Sequence, residues 1–185
     1  MRIIAGKFKG RVLTSFQADH IRPTTDRVKE TLFNKWMSDT DEAMVLDLFS
    51  GTGNLGLEAL SRGAEHVDFV EMNPKSIVIL KKNVDLLKLE KTEYAIHKKD
   101  VLQFLKQYDG LPYDLILVDP PFTEKMAHDV MQGLDLSGCF DSATLIAIES
   151  HKKERIDEAY TKLYRYDFRD YGDKVLSFFK EKEQT

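Results

Sequence analysis

The stretch DLILVDPPF, from Asp114 to Phe122, holds a short apolar run that ends at two prolines. An apolar run of this length, bounded by turn residues, is typical of a buried strand. Proline cannot donate a hydrogen bond to a sheet ladder, so the strand has to end before Pro120. In open α/β sheets, ligands bind at the carboxyl ends of the strands. The stretch therefore predicts a central strand that carries an acid and an aromatic ring at the ligand-binding edge.

The tip of this strand suits chemistry on a nucleobase. An exocyclic amino nitrogen is a poor nucleophile because its lone pair is delocalised into the ring. Asp119 and the Pro120 carbonyl can accept hydrogen bonds from the amino group, while Phe122 offers a face for stacking a flipped base. We take Asp119, Pro120, Pro121 and Phe122 as candidate catalytic residues that act by positioning and preorganisation. The alternative is an ordinary strand-ending turn, since Asp-Pro and Pro-Pro pairs are common in loops.

A second stretch, from Met44 to Gly56, joins another apolar strand to a glycine-rich loop. Gly51, Gly53 and Gly56 have the spacing of the dinucleotide fingerprint, and Glu71 follows the next predicted strand at about the place of its ribose-binding acid. The loop leads into a helix whose N-terminus presents free N–H groups. A nicotinamide or flavin enzyme is therefore one interpretation.

Three features favour S-adenosylmethionine over a dinucleotide. Asp47 lies within the first strand, where it suits a positively charged ligand better than a pyrophosphate. The chain is too short for a separate substrate domain, and hydride transfer has no use for the Asp-Pro-Pro-Phe tip. Asp100 follows another predicted strand and could accept from an adenine amino group, cap the helix that begins at Val101, or do both. The predicted cofactor contacts are Asp47, Phe49, Gly51, Thr52, Gly53, Gly56, Glu71, Met72, Asp100 and Val101.

Composition limits the other possibilities. The chain has 185 residues, 42% hydrophobic and 31% charged, which is the profile of one soluble globular domain. The single cysteine, Cys139, excludes an internal disulfide framework and fits a reducing compartment. The sequence has neither an apolar run of membrane-spanning length nor a signal-like start, and its five histidines lack metal-ligand spacing. We expect a cytoplasmic monomer without a metal or a membrane partner.

Charge is distributed unevenly along the chain. The net charge is −4, but residues 1–36 hold eight basic and three acidic residues, a net of +5, so the remainder carries −9. A basic end on an acidic body is expected of an arm that contacts phosphates, although a solvated charged surface is the alternative. The arm is predicted to form a hairpin over residues 2–16. The stretch Arg22-Pro23-Thr24-Thr25-Asp26 is predicted to open a helix that Thr24 or Thr25 caps, with Trp36 as a core anchor.

The rest of the chain alternates strands and helices from Val45 onward. This alternation predicts a mostly parallel, doubly wound sheet. A helix that includes Ile156 and Ala159 is expected before a final antiparallel pair, Lys162 to Phe168 and Lys174 to Phe179. The sheet would then have about seven strands.

Several segments of the chain together have the pattern of one known family. They are RIIAG at Arg2–Gly6, Gly10-Arg11, RPTTDRVKETLF at Arg22–Phe33, LDLFSGTG at Leu46–Gly53, LGLEALSRGA at Leu55–Ala64 and VDPPF at Val118–Phe122. Weaker matches occur at Glu149 and between Tyr171 and Phe179. With these segments the chain resembles the RsmD family of bacterial 16S ribosomal RNA guanine-N2 methyltransferases. The resemblance covers nearly the whole chain, and the segment from Arg22 to Phe33 is its most specific part.

The resemblance implies a Rossmann-like class I methyltransferase fold and methylation of the N2 amino group of guanine 966 in the small ribosomal subunit or its assembly intermediates. It implies that Asp119, Pro120 and Phe122 orient the flipped guanine. Residues 1–36 would be an RNA-contacting extension and residues 37–185 the methyltransferase domain. One departure is Asn54, which stands where a small residue is expected and could alter the cofactor contacts. The implied RNA-contacting residues are Lys7, Lys9, Arg11, Arg22, Thr24 and Arg27.

Two rival functions use the same features. A DNA adenine or cytosine amino-methyltransferase would need the same strand tip, although the chain has no room for a large DNA-recognition domain. A non-catalytic RNA-binding module could keep the fold, although the intact Asp119 and glycine loop argue against it. The identity of the base rests on the resemblance, because guanine, adenine and cytosine all carry an amino group.

Overall fold

A computed structural model describes residues 1–16, 26–123 and 125–183. The described residues contain seven strands: β1 (Met44–Leu48), β2 (His66–Val70), β3 (Tyr94–His97), β4 (Leu115–Val118), β5 (Leu145–His151), β6 (Leu163–Asp170) and β7 (Lys174–Glu181). They form one sheet in the order β3-β2-β1-β4-β5-β7-β6. Strands β1 to β5 are parallel, whereas β7 runs antiparallel to both β5 and β6. The predicted mostly parallel sheet with a terminal antiparallel pair is confirmed.

The helices of the described residues cover both faces of this sheet. They are α1 (Asp26–Lys35), α2 (Asn54–Ser61), α3 (Pro74–Leu87), α4 (Val101–Lys106) and α5 (Met126–Leu136). Helices α1, α2 and α3 pack in one apolar core, and α4 and α5 pack in a second core on the other face. The start of α3 follows from its sequence, because Asn73 accepts from the Lys75 N–H and Pro74 occupies the first turn.

The amino-terminal segment is packed onto the first of these cores. Its hairpin has a single bridge between Arg2 and Val12, and Ile3 and Leu13 are buried in the core. Trp36 is also buried, with its ring 5.5 Å from that of Phe178 in an edge-on arrangement. The expectation that Trp36 anchors the core is confirmed. The functional division at residue 36 stays a prediction.

A buried ion pair joins this segment to helix α2. Lys29, one of the eight basic residues of the arm, is fully buried, and its ammonium lies 3.2 Å from a carboxylate oxygen of Glu58. Burial lowers the pKa of Lys29, and the neighbouring Glu58 charge opposes that shift. The Lys29 ammonium also donates to Asn54 Oδ1 at 2.9 Å and to the Arg2 carbonyl at 2.7 Å. Lys29 therefore contributes to the fold rather than to the basic surface. Asn54, which stands where the family pattern has a small residue, accepts one of the hydrogen bonds of Lys29.

The helix predicted around Ile156 and Ala159 is wrong. The chain between β5 and β6 forms turns and an isolated bridge from Ala159 to Tyr164. The following amides, those of Thr161, Lys162 and Leu163, donate to the Asp135 carboxylate of α5 at 2.7–3.0 Å. Two apolar residues three apart are compatible with one helical turn, but the tertiary acceptor on α5 favours an extended approach to β6.

Candidate active site

The carboxyl ends of the central strands meet at one edge of the sheet. Strand β1 lies between β2 and β4, so the residues that follow these three strands are neighbours. Backbone bonds continue the pairing past the strand ends, with the Ser50 N–H donating to the Val70 carbonyl at 3.1 Å and the Asp119 N–H to the Leu48 carbonyl at 3.4 Å. The predicted site residues Asp47, Glu71 and Asp119 are thus brought to one edge.

The glycine loop between β1 and α2 has an unusual backbone. Phe49 has a φ of 61°, in the left-handed region that a non-glycine residue adopts at a cost of about 1–3 kcal/mol. Gly53 has a φ of 89°, and a Cβ there would lie 2.4 Å from a Leu80 methyl group. At Gly56 a Cβ would lie 2.3 Å from the Phe69 ring. Glycine at these two positions lets the loop turn sharply and lets α2 lie against the sheet.

Asp47 is buried behind this loop. Its carboxylate accepts from the Gly56 N–H at 2.9 Å. Burial raises the pKa of Asp47 to about 8; the Gly56 hydrogen bond lowers it, and the negative charges of Asp119 and Glu71 raise it further. The carboxyl group is therefore largely protonated at neutral pH. The negative charges of Asp119 and Glu71 give this edge a negative potential, which favours a positively charged ligand.

The pH dependence of stability should report on Asp47. Because its pKa is raised in the folded state, the folded protein binds a proton that the unfolded chain releases above about pH 4. This contribution to stability is present in acid and is lost as the pH rises from about 4 to about 8. We expect the unfolding free energy of the Asp47→Asn variant to fall less steeply with pH than that of the wild type. The difference between the two slopes should be at most the contribution of one bound proton. Urea unfolding at several pH values would measure this, and parallel slopes would contradict the assignment.

Glu71 and Asp100 are both held by backbone N–H groups. One Glu71 oxygen accepts from Gly51 at 2.8 Å and the other from Asn73 at 2.7 Å. Asp100 caps α4 by accepting from the Gln103 N–H at 3.0 Å. These bonds orient the two carboxylates, and each carboxylate keeps further lone pairs for a ligand.

The remaining predicted cofactor residues differ in how exposed their side chains are and in what they contact. Met72 is exposed beyond Glu71, and Val101 is buried in the second core. The Thr52 carbonyl accepts from the Asn83 side chain at 2.9 Å, and the Thr52 hydroxyl lies 3.6 Å from the Met1 sulfur. The Val101 side chain therefore packs in the core, while Thr52 links the loop to α3 and the amino terminus.

The Asp-Pro-Pro-Phe tip follows β4 directly. Pro120 is buried, Pro121 is exposed and Phe122 keeps 43% of its surface accessible. The Lys174 ammonium lies 4.7 Å from the centroid of the Phe122 ring, and the His151 ring lies 6.0 Å away at a steep angle. The sequence predicts neither Lys174 nor His151 as a site residue. Lys174 falls in the predicted last strand and in the weak family match from Tyr171 to Phe179, but neither pattern indicates a contact with Phe122.

One side chain braces the loop after this tip. The Glu154 carboxylate accepts from the Thr123 N–H at 3.1 Å and from the His151 N–H at 2.8 Å. It thereby connects the segment after β4 with the segment after β5. The sequence does not predict this connection, since nothing local marks a residue that bridges two loops.

The basic residues of the amino-terminal arm lie at two different edges. The Lys7 amide donates to the carbonyl of Ser61 at the end of α2, and its ammonium pairs with Glu93 before β3 at 2.6 Å. This turn is at the sheet edge opposite the strand tips. Arg27, in contrast, lies 5.6 Å over the ring of Tyr171, which precedes β7 at the active-site edge. Lys9 and Arg11 are exposed on the hairpin, whereas Arg22 and Thr24 lie outside the described residues.

The described residues contain neither a group of metal-binding side chains nor a helix that could span a membrane. Within residues 1–16, 26–123 and 125–183, no three His, Cys, Asp or Glu side chains are grouped so that they could hold a metal ion. In the same part of the chain, no helix has the length and apolar character that crossing a membrane requires.

Sequence comparisons find one family over almost the entire chain. The family model described as conserved hypothetical protein 95 matches residues 1–180. Ribosomal RNA small subunit methyltransferase D of Haemophilus influenzae is 39% identical over 153 residues, covering 82% of this chain and 79% of that protein. The protein of the same name from Escherichia coli K12 is 38% identical over 151 residues, covering 81% and 74%.

Solved structures agree with the sequence matches. The yhhF protein of Escherichia coli, described as a candidate methyltransferase, has a TM-score of 0.87 and 32% identity, with 100% of this chain and 99% of that chain covered. A candidate methylase from Haemophilus influenzae has a TM-score of 0.83 and 33% identity, with 98% of each chain covered. The fold is therefore the Rossmann-like fold of these methyltransferases.

Proposed function

Since the chain belongs to the RsmD family, we propose that it transfers a methyl group from S-adenosylmethionine to the N2 amino group of a guanine in 16S ribosomal RNA. The observation that carries this proposal is the Asp119–Phe122 tip, which follows β4 next to the glycine loop after β1. The relatives' printed names support ribosomal RNA of the small subunit as the substrate. The N2 position and guanine 966 are the finer part of the proposal.

The donor set at the sheet edge fits S-adenosylmethionine. Glu71 would accept from ribose hydroxyls and Asp100 from the adenine amino group; backbone N–H groups orient both carboxylates, which supports these roles. The negative charges of Asp119 and Glu71 at this edge suit the positive amino acid and sulfonium groups of this cofactor. When bound, the cofactor supplies an electrophilic methyl group.

The residues of the strand tip would handle the target base. The Asp119 carboxylate and the Pro120 carbonyl accept hydrogen bonds from the exocyclic amino group, which directs the nitrogen lone pair out of the base. The exposed Phe122 ring stacks on the flipped base and fixes its plane. Asp119 acts here as a hydrogen-bond acceptor rather than as a strong base, since the amino nitrogen sheds its proton readily once it is alkylated.

Methyl transfer to defined nucleic acids tests this function. Labelled methyl transfer would be compared among unmethylated small ribosomal subunits, free 16S RNA and duplex DNA, with nucleoside analysis of each product. We expect N2-methylguanosine from a ribosomal substrate alone. If the product is N6-methyladenosine, or if the label appears in DNA, the proposed substrate is wrong and the protein is an amino-methyltransferase of another class. Cofactor binding without transfer to any nucleic acid would favour a binding role.

The RNA surface is proposed to begin at Arg27 and to extend over Lys7, Lys9, Arg11, Arg22 and Thr24. Arg27 is the described member of this set that lies at the active-site edge, over Tyr171. The enzyme would meet its substrate in the cytoplasm, as a monomer.

An exchange of charge at Arg27 should weaken RNA binding. We expect Arg27→Glu to lower affinity for 16S RNA and to reduce the slope of log K against log salt by about one, because one phosphate contact is lost. Fluorescence titrations at several salt concentrations would measure the slope. Lys106→Glu makes the same charge change at the exposed end of α4, which packs on the opposite face of the sheet from α1. If the two variants lower the affinity and the salt slope equally, the effect comes from net charge alone and Arg27 does not contact a phosphate.

A further inference from the structure

A buried ion pair lies next to the strand tip and is not explained by the reaction as described so far. Glu149 of β5 and Lys174 of β7 are in direct contact, and their side chains are 3% and 11% exposed. The second carboxylate oxygen of Glu149 is buried and has no hydrogen-bond partner in the described structure. A buried ion pair with an unsatisfied acceptor is a poor source of stability, because desolvation offsets the attraction between the charges. Such exceptions to good packing are expected at functional sites.

Strand register places this pair beside Asp119. Leu117 of β4 is paired with Ala147 of β5 and Val118 with Ile148, so this register, continued by one residue past the end of β4, sets Asp119 level with Glu149. Leu117 and Ala147 face the same core, and side chains two residues apart project from the same face of a strand. Glu149 therefore projects from the same face as the candidate catalytic acid, on the adjacent strand.

The same pair is in contact with the aromatic ring of the tip. Lys174 holds its ammonium 4.7 Å from the centroid of Phe122, which is the distance of a cation–π contact. Glu149 holds the ammonium in place from the sheet side. Phe122 lies after two prolines in a loop without helix or strand. The His151 ring lies near its ring, and Glu154 braces the neighbouring Thr123.

We propose that Lys174, held by Glu149, is a positioning residue that orients the Phe122 ring for stacking on the target base. The inference rests on the proposed function, because it assigns Phe122 the role of stacking platform. The cation contacts one face of the ring and Glu149 fixes the cation, while the exposed part of the ring remains available to the base. Without the cation, the ring would sample several orientations, and each productive encounter would require ordering it again.

Lys174→Met provides the first test, because methionine keeps the apolar length of lysine and removes the cation. We expect the KM for RNA to rise about tenfold, as for loss of one desolvated cation–π contact, with an unchanged dissociation constant for S-adenosylmethionine. Lys174→Arg keeps a cation and should restore most of the loss. Lys180→Met is the matched control, since Lys180 lies on the same strand over the rings of Tyr164 and Tyr166, away from the strand tips.

A double variant separates positioning from stability. Removing both charges in Glu149→Leu with Lys174→Met should leave the melting temperature at or above that of the wild type, because apolar side chains replace the pair and the desolvation cost disappears. Its KM for RNA should nevertheless stay as high as that of Lys174→Met. Recovery of the wild-type KM in the double variant, or an unchanged KM in Lys174→Met, would overturn the proposal.

A spectroscopic measurement reports on the ring itself. RNA with 2-aminopurine at the target position becomes fluorescent when the base leaves its stack, and stacking on an aromatic ring quenches it again. We expect less quenching with Lys174→Met than with the wild type at saturating protein; equal quenching would contradict the inference. If the wild-type enzyme methylates none of the nucleic acids above, the proposed function itself fails. If the wild-type enzyme is active and the Lys174→Met variant has the same KM and quenching, only the inference about Lys174 fails.

Discussion

Replacing Asp119 with alanine is expected to lower kcat by about 10²- to 10³-fold, the usual effect of removing one preorganised hydrogen-bonding group from an active site. The carboxylate lies at the end of β4, where it can accept from the amino group of the base. Cofactor affinity should change little, because the groups proposed to hold S-adenosylmethionine follow β1, β2 and β3. Single-turnover methylation and calorimetric titration of the cofactor would measure the two quantities separately.

The control for this variant is Asp109→Ala. Asp109 is exposed in the loop before β4, at the opposite edge of the sheet, and the same substitution there should leave both quantities unchanged. Asp119→Asn keeps an oxygen acceptor without the charge and should fall between alanine and the wild type. If Asp119→Ala loses cofactor binding and turnover in equal measure, the proposed division of labour between the strand tips is refuted.

Replacing Glu58 with alanine is expected to cost about 3–5 kcal/mol of unfolding free energy, the range for removing one partner of a buried ion pair. Glu58 is fully buried and accepts from the Ile4 and Ala5 amides at 2.9 and 3.1 Å, as well as from Lys29 and Arg62. The substitution would leave the buried Lys29 without its countercharge and two amides without their acceptor. Urea unfolding would give the free energy directly.

Glu65→Ala is the matched control, because Glu65 is exposed just before β2. A surface substitution of this kind usually changes stability by less than about 0.5 kcal/mol. If Glu58→Ala costs no more than Glu65→Ala, the ion pair does not hold the amino-terminal segment to α2. If the double variant Lys29→Met with Glu58→Leu recovers much of the loss, the cost came from the unpaired charge rather than from the lost volume.

The central part of the fold could be predicted because its signals are local. Proline marks the end of β4, the glycines mark the loop before α2, and Asn73-Pro74 marks the start of α3. Each signal depends on the backbone of one or a few adjacent residues. For the same reason the positions of Asp47, Glu71, Asp100 and Asp119 at strand ends could be predicted, since the carboxyl ends of parallel strands share one edge.

The positions that the sequence did not reveal depend on partners far along the chain. Phe122 and Lys174 are brought together because β7 lies between β5 and β6, an order that periodicity does not specify. The sequence does not separate Lys29 from the other basic residues of the arm, because its partner Glu58 is on another helix. The sequence around Ile156 predicts a helix wrongly, because the extended course of this segment depends on Asp135 of α5.

The sequence by itself determined the class of fold, the family and the chemistry available at the strand tips, because turn residues, apolar runs and the Asp-Pro-Pro-Phe motif act through their immediate neighbours. Only the tertiary structure decided which charges are surface and which are buried, where the basic arm lies relative to the site, and which side chains surround Phe122. These features depend on strand order and on the desolvation of paired charges. Both are properties of residues that are distant in sequence and adjacent only in the folded chain.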